Sequence, residues 1–262
     1  IALAHAVTPD GEPAPAALTV TGPIVSRPYL DMTLRLMERF GIPFAEKEEG
    51  VFSLSPACAP APESVDVSGD WSQAAVLLCV DAMGGGVMLP NLRRDGLQGD
   101  ARIVDVLEEM GLRIRQAHGE WYAASPSHAG LMPARIDCSD IPDLAPILAL
   151  TCTQARGVST LTGVSRLRLK ECDRLLATQE LLDQLGAKTD VSPDGDTLTI
   201  SGPVRLRGGF TADARGDHRM VMLLAAAALI ADGPITVTGA ECISKSWPGF
   251  VDTYRQLGGI AQ

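Results

Sequence analysis

One recurring pattern limits the fold of this chain more than any other feature. Four segments share an amphipathic helical pattern that ends in an apolar residue and then glycine, and the first three run on into an alternating tail. They start at Tyr29, Ala101, Asp173 and Gly249, and their glycines are Gly41, Gly111, Gly186 and Gly258. In the third, Leu175, Leu176, Leu181, Leu182 and Leu185 recur at three- and four-residue steps, the period of a helix with one apolar face. Glycine directly after such a face fits a left-handed helix cap. The tail after Gly186 turns at Pro193-Asp-Gly-Asp before Thr197-Leu-Thr-Ile, which reads as a hairpin.

A second helix type lies between these segments. Residues 72–85, 143–157 and 217–233 are nearly apolar all round, the signature of a buried helix. Each precedes a short β-rich run, at 86–92, 158–164 and 234–240. The predicted unit is therefore a buried helix, a strand, an amphipathic helix and two strands, repeated about three times after residue 69. This implies an α/β (α+β) protein of βαβαββ units, with buried helices inside and sheets outside. Residues 1–68 hold the late part of an earlier unit, and 69–262 hold the larger domain. The Pro/Ala-rich stretch at 55–64 reads as their connection. The last unit reaches Gln262 just after its amphipathic helix, so its closing strands are expected from elsewhere in a longer chain.

Charge restricts the partners. Lys and Arg number 22 against 32 Asp and Glu, a net charge of −10. A nucleic-acid partner is not expected without a basic face. An acidic protein binds an anion by gathering its few cations in one place. The longest apolar run, Met220–Ala231, is too short to span a bilayer, so no membrane span is expected. The six cysteines are scattered, with no CxxC and no ligand-like spacing to histidine. That pattern fits reduced thiols in a cytoplasmic protein and argues against structural zinc.

Polar clusters fall at the starts of helices, where outward amides and the dipole favour anions. They are Ser26-Arg-Pro-Tyr29, Asp140-Ile-Pro-Asp143, Lys170-Glu-Cys-Asp-Arg174 and Asp217-His-Arg219; Lys245 precedes the final helix. Each has a plainer reading. Ser26 and Asp143 could be ordinary caps. Lys170, Glu171, Asp173 and Arg174 could form exposed ion pairs of little worth. In a helix starting near 170, Lys170 and Arg174 would sit one turn apart as like charges, which costs a few tenths of a kcal/mol. The repetition of such clusters at matching points of the units favours an anion site.

These residues resemble those of the 5-enolpyruvylshikimate-3-phosphate synthases. The matching pieces are SRPY at 26, GDWSQAA at 69, LQGDARIVDVLEEMG at 97, IPD at 141, LRLKECDRL at 167, GDHRM at 216 and SKSWPGF at 244. The resemblance implies transfer of the enolpyruvyl group of phosphoenolpyruvate to the 5-hydroxyl of shikimate 3-phosphate, with no metal and no organic cofactor. It implies that Asp143 lies beside the 5-hydroxyl and that Glu171 moves the methylene proton, with acid and base interchangeable between them. Lys170 is expected near the shikimate hydroxyl, Ser26 at the 3-phosphate and Tyr29 on the ring. Arg174 and Arg219 are expected on the phosphoenolpyruvate carboxylate, and Lys245 on its phosphate. A monomer is expected. Arg166 stands where the family often carries Asn. The family's Lys-Ser pair, Gly-rich Asn-Ala-Gly-Thr loop and Ser-Ser-Gln segment have no counterpart here, so the chain resembles the C-terminal three-fifths of such an enzyme and is expected to be inactive alone. The alternatives are a non-catalytic anion-binding fragment and the related UDP-N-acetylglucosamine enolpyruvyl transferase; KECDRL and GDHRM favour the shikimate enzyme over the latter.

Overall fold

The computed structural model describes residues 10, 15–55, 62–117, 120–124 and 130–262. By Cα proximity the chain forms two compact units, one of residues 1–68 and 94–99, the other of 69–93 and 100–262. Most of the Pro/Ala-rich stretch expected to connect them lies outside the described residues.

In the smaller unit, strand β1 (Ala16–Thr19) precedes helix α1 (Arg27–Arg39) and the hairpin β2 (Phe44–Glu48) and β3 (Val51–Leu54). The sheet order is β1-β3-β2, antiparallel throughout. Its core is small: Met37, Ile42, Phe52 and Leu54 are buried. Arg27 ties the start of α1 to the hairpin, with its guanidinium donating to both Glu46 oxygens at 2.9 and 2.7 Å and to Asp31 at 2.7 Å.

The larger unit opens with α2 (Trp71–Ala82), which Asp70 caps by accepting from the Ser72 and Gln73 amides. There follow α3 (Ile103–Glu109) and the hairpin β4 (Arg113–Ala117) with β5 (Glu120–Ala124). The second repeat is β6 (Arg135–Asp137), α4 (Ala145–Cys152), β7 (Gly157–Thr162), α5 (Arg174–Gln184), β8 (Lys188–Val191) and β9 (Thr197–Gly202). The third is β10 (Phe210–Asp213), α6 (His218–Ala228), β11 (Ile235–Thr238) and α7 (Phe250–Gln256). β6 and β7 are parallel, while β9 pairs antiparallel with both β7 and β8, giving the order β6-β7-β9-β8. β10 and β11 repeat the parallel pair alone.

The three apolar helices α2, α4 and α6 pack on one another. Every residue of α4 is buried. Burying a side chain such as Leu148 or Leu150 stabilises by about 1.5–3 kcal/mol, so these helices hold the unit together. The sheets cover them with alternating strands: Leu198 and Ile200 of β9 face inward between partly exposed neighbours. All four glycines of the repeat pattern have positive φ, from 64° at Gly41 to 93° at Gly258, as left-handed caps require.

Two local expectations are corrected. The run at 86–92 makes a single bridge, Leu89 to Trp121, because Pro90 has no amide proton and Asn91 turns the chain at φ 60°. No helix spans Lys170. Residues 165–169 form a 3-10 turn, Lys170 is extended at φ −89° and ψ −162°, and α5 starts at Arg174 because the Asp173 carboxylate caps it at the Leu176 amide. Among the described residues, no helix is long and apolar enough to cross a membrane.

Candidate active site

The starts of α4, α5 and α6 meet at a cluster of charge. Asp143 lies in a 3-10 turn, Pro142–Leu144, that leads into α4. It does not cap that helix. One of its oxygens accepts from Lys170 Nζ at 3.1 Å and Arg174 Nη1 at 2.8 Å, and the other from Arg219 Nη2 at 3.2 Å. Lys170 and Arg174 therefore meet at a shared carboxylate oxygen rather than along a helix face.

Arg174 is the hub. Its side chain is 1% exposed, and it faces three carboxylates. Nε donates to Asp217 at 2.8 Å, and Nη2 donates to Asp217 at 3.3 Å and to Glu171. Burial opposes its charge, but Asp217, Asp143 and Glu171 more than compensate and raise its affinity for the proton. Asp217, fully buried, also caps α6 through the Arg219 amide at 2.9 Å and lies 3.6 Å from the Cys172 thiol. Burial and then that carboxylate push the thiol up to about 11, which favours its protonated form.

Asp143 shows how the cluster balances. Burial would raise its pKa, yet Arg219, Lys170 and Arg174 together hold it well below the ordinary carboxylate range. Glu171 stays half-exposed, with its second oxygen 3.9 Å from His218 Nδ1. Burial, followed by the Arg219 charge, lowers the pKa of His218, which favours the neutral ring. Arg219 is held more loosely than Arg174. It gives Asp143 one hydrogen bond, and its buried Nε has no partner among the described residues.

Lys245 stands apart from these ion pairs, with Nζ 3.5 Å from the Gly216 carbonyl, one residue before Asp217. Ser26 and Tyr29 belong to the smaller unit. Ser26 precedes α1 in a left-handed conformation, φ 55° and ψ 42°, and its side chain makes no capping bond. Arg166 is exposed on the 3-10 turn before Lys170.

Three participants had no assigned role in the sequence. Asp217 and His218 sit inside the GDHRM motif, where a cap aspartate looks like any other. Asp100 sits inside LQGDARIVDV. It is buried, accepts from the Ser72 hydroxyl, and is raised by burial against the opposing pull of Ser72 and Arg219. Among the described residues, no three His, Cys, Asp or Glu side chains are arranged to hold a metal ion.

The fold of this chain is shared with solved structures. An enolpyruvyl transferase from Streptomyces tendae, NikO, superposes with a TM-score of 0.72 at 19% identity, covering 95% of this chain and 56% of that one. The EPSP synthase of Acinetobacter baumannii superposes with a TM-score of 0.75 at 25% identity, over 96% and 58%. The chain belongs to the family EPSP synthase (3-phosphoshikimate 1-carboxyvinyltransferase), which it matches over residues 5–254. A 3-phosphoshikimate 1-carboxyvinyltransferase of Clostridium beijerinckii is 33% identical over 251 residues, and one of Methanocorpusculum labreanum is 37% identical over 245. These alignments take in 96% and 94% of this chain but only 56% of each relative, so the chain spans about half their length.

Proposed function

We propose that this chain carries the acid–base and cation half of an enolpyruvyl transfer site. The reading rests on one observation: Asp143, Glu171, Lys170, Arg174 and Arg219 form a connected ion-pair cluster at the helix starts of an EPSP synthase fold. In the full reaction the 5-hydroxyl oxygen of shikimate 3-phosphate bonds to C2 of phosphoenolpyruvate while C3 takes a proton. The resulting tetrahedral ketal then loses phosphate as C3 gives a proton back. Asp143 and Glu171 supply the two proton transfers, one at the hydroxyl and one at the methylene carbon. Lys170 steadies the hydroxyl. Arg219, with its free Nε, is the more available fork for the phosphoenolpyruvate carboxylate, and Arg174 backs it from a fixed position. Lys245 meets the phosphate of phosphoenolpyruvate, while Ser26 and Tyr29 meet the 3-phosphate and ring of the acceptor. The smaller unit is read as the last repeat of an N-terminal domain and the larger as the C-terminal domain. The whole enzyme is read as a cytoplasmic monomer that needs no metal or organic cofactor.

On this reading the remaining length of the relatives supplies further cations, so this chain alone turns over little or nothing. Losing one preorganised donor costs about 10²–10³ in kcat, and losses that act as a unit do not simply add. A phosphate-release assay with both substrates tests the reading. The 262-residue chain alone should give no signal. Signal should appear when the N-terminal remainder of a relative is added as a separate polypeptide, and vanish with Asp143→Ala. A complement that binds the chain yet restores no turnover refutes the reading. Robust turnover by the chain alone refutes the division of the site.

A further inference from the structure

Lys245 is held differently from the other cations of the site. Lys170, Arg174 and Arg219 are each aimed by a carboxylate. Lys245 is exposed, its Nζ lies 3.5 Å from the Gly216 carbonyl, and among the described residues no carboxylate pairs with it. An ammonium on a flexible stem, without a counter-charge, keeps its aim only as far as its backbone is fixed. That backbone ends a 3-10 turn, Ala240–Lys245. Just beyond it, the Ser246 and Trp247 amides both donate to the Ile243 carbonyl, at 3.1 and 2.8 Å. The Ser246 carbonyl in turn accepts from Gln73 Nε2 at 3.0 Å, across 173 residues of sequence.

Gln73 lies in the GDWSQAA motif and in the first turn of α2, so its side chain starts from a fixed root. The Asp70 carboxylate that caps α2 accepts from the Gln73 amide at 3.2 Å. The neighbouring Ser72 hydroxyl donates to Asp100, which lies close enough to Arg219 and Asp143 to feel their charges. The start of α2 therefore borders the same site as the starts of α4 and α6, and Gln73 is its hydrogen bond to the lysine turn.

We propose that Gln73 is a positioning residue for Lys245: by clamping the Ser246 carbonyl to α2, it holds the turn from which the ammonium reaches the phosphate of phosphoenolpyruvate. This rests on the reading of Lys245 as the ligand of that phosphate. A plainer role for the bond is to pack the turn against α2. The two differ in one respect. Positioning makes the effect of Gln73 on anion binding depend on Lys245, whereas packing does not. Trp247, packed against the core and edge-on to Phe250 with ring centroids 5.3 Å apart, keeps the turn folded when the bond is lost.

The experiment uses Gln73→Met in the 262-residue chain, a change that keeps the length of the side chain and removes its donor; circular dichroism checks the fold. Without ligand, amide hydrogen exchange followed by NMR should quicken at Ser246 and Trp247 by about threefold to tenfold relative to Leu148 in α4, the worth of one net hydrogen bond. Inorganic phosphate is then titrated into the wild type, Gln73→Met, Lys245→Ala and the double variant. Gln73→Met should weaken binding by about threefold to tenfold where Lys245 is present and leave it unchanged where Lys245 is absent. Exchange at Ser246 and Trp247 that only keeps pace with Leu148 overturns the clamp. Phosphate affinity that Lys245→Ala lowers and Gln73→Met does not, or a loss in Gln73→Met that is equal with and without Lys245, overturns the positioning role. Phosphate binding no weaker in Lys245→Ala than in the wild type sinks the reading of Lys245 as the phosphate ligand, and the exchange rates then decide the clamp on their own.

Discussion

The second and third repeats use the same order of elements but hold their arginines in opposite ways. Arg174 opens α5 in the second, enclosed and bonded to three carboxylates. Arg219 opens α6 in the third, with one hydrogen-bonded carboxylate and a spare donor. The surroundings differ in the same sense. The second repeat lays four strands over its helices, and the third, among the described residues, lays two. α6 and α7 instead line a cavity of about 250 Å³ with α2, walled by Val80, Met222, Leu229, Phe250 and Tyr254. The comparison teaches that place within the repeat goes with role: Arg174 starts the amphipathic helix of its unit, whereas Arg219 lies in the first turn of the buried helix of its own. One arginine is a pillar of the cluster, and the other is free enough to answer a ligand.

The largest effect should come from removing the partner of the pillar. Asp217→Ala takes two contacts from a fully buried guanidinium and the cap from α6. Breaking a buried pair this way costs about 3–5 kcal/mol. Asp143→Ala also frees Arg174 from a bond, but Asp217 and Glu171 remain to it, and Lys170 and Arg219 can turn to water. That change should cost roughly 1–3 kcal/mol. Urea denaturation of both variants measures the gap. Equal losses would mean that Arg174 is no more a pillar than Arg219.

A smaller contrast lies in the helices behind them. Leu148 of α4 is 0% exposed and Met222 of α6 is 2% exposed, so burial alone ranks them together. Truncation to alanine in a core costs about 2–5 kcal/mol, more where a new void is left. Leu148 is enclosed by close-packed neighbours and should fall toward the top of that range. Met222 already borders the cavity, has fewer contacts to lose, and should fall toward the bottom. If Met222→Ala proves the costlier, the third repeat is packed as tightly as the second and the cavity contributes nothing to the difference.

The sequence pattern made the architecture legible because burial leaves periodic marks. Leu175 to Leu185 spelled a helix face, the all-apolar runs spelled the central helices, and Gly41, Gly111, Gly186 and Gly258 marked where helices stop. The site was legible as a set of positions but not as a network. That Asp143 serves three cations depends on the approach of three helices separated by many residues. That α5 begins at Arg174 depends on whether Asp173 or an earlier residue wins the cap, a choice of local energies too small for a pattern to decide. Asp100 left no mark at all, since a buried aspartate after glycine reads like a turn residue. The loop at 86–92 misled because its β-rich composition was outweighed by Pro90 and Asn91.

The smallest effect tests the same two repeats at matching glycines. Gly186 ends the second repeat's amphipathic helix at φ 90°, and Gly258 ends the third's at φ 93°. An L-residue in left-handed territory costs roughly 1–2 kcal/mol, so Gly186→Ala and Gly258→Ala share that backbone loss. The surroundings then separate them. A Cβ on Gly186 would lie 3.1 Å from Arg207 Nε and 3.3 Å from its Cδ, whereas on Gly258 it would meet no heavy atom within 4 Å. Arg207 can move its side chain, so the added cost at Gly186 is small, on the order of a few tenths of a kcal/mol. A second difference widens the gap. Gly186 leads into β8, which β9 holds in the four-stranded sheet, so its strain is carried by the whole unit. Gly258 follows a helix of only two turns, where strain can be relieved by fraying of the last turn. Thermal melts should therefore rank Gly186→Ala below Gly258→Ala. A reversed order would mean that α7 is anchored as firmly as α5, and that the looseness of the third repeat stops short of its final helix.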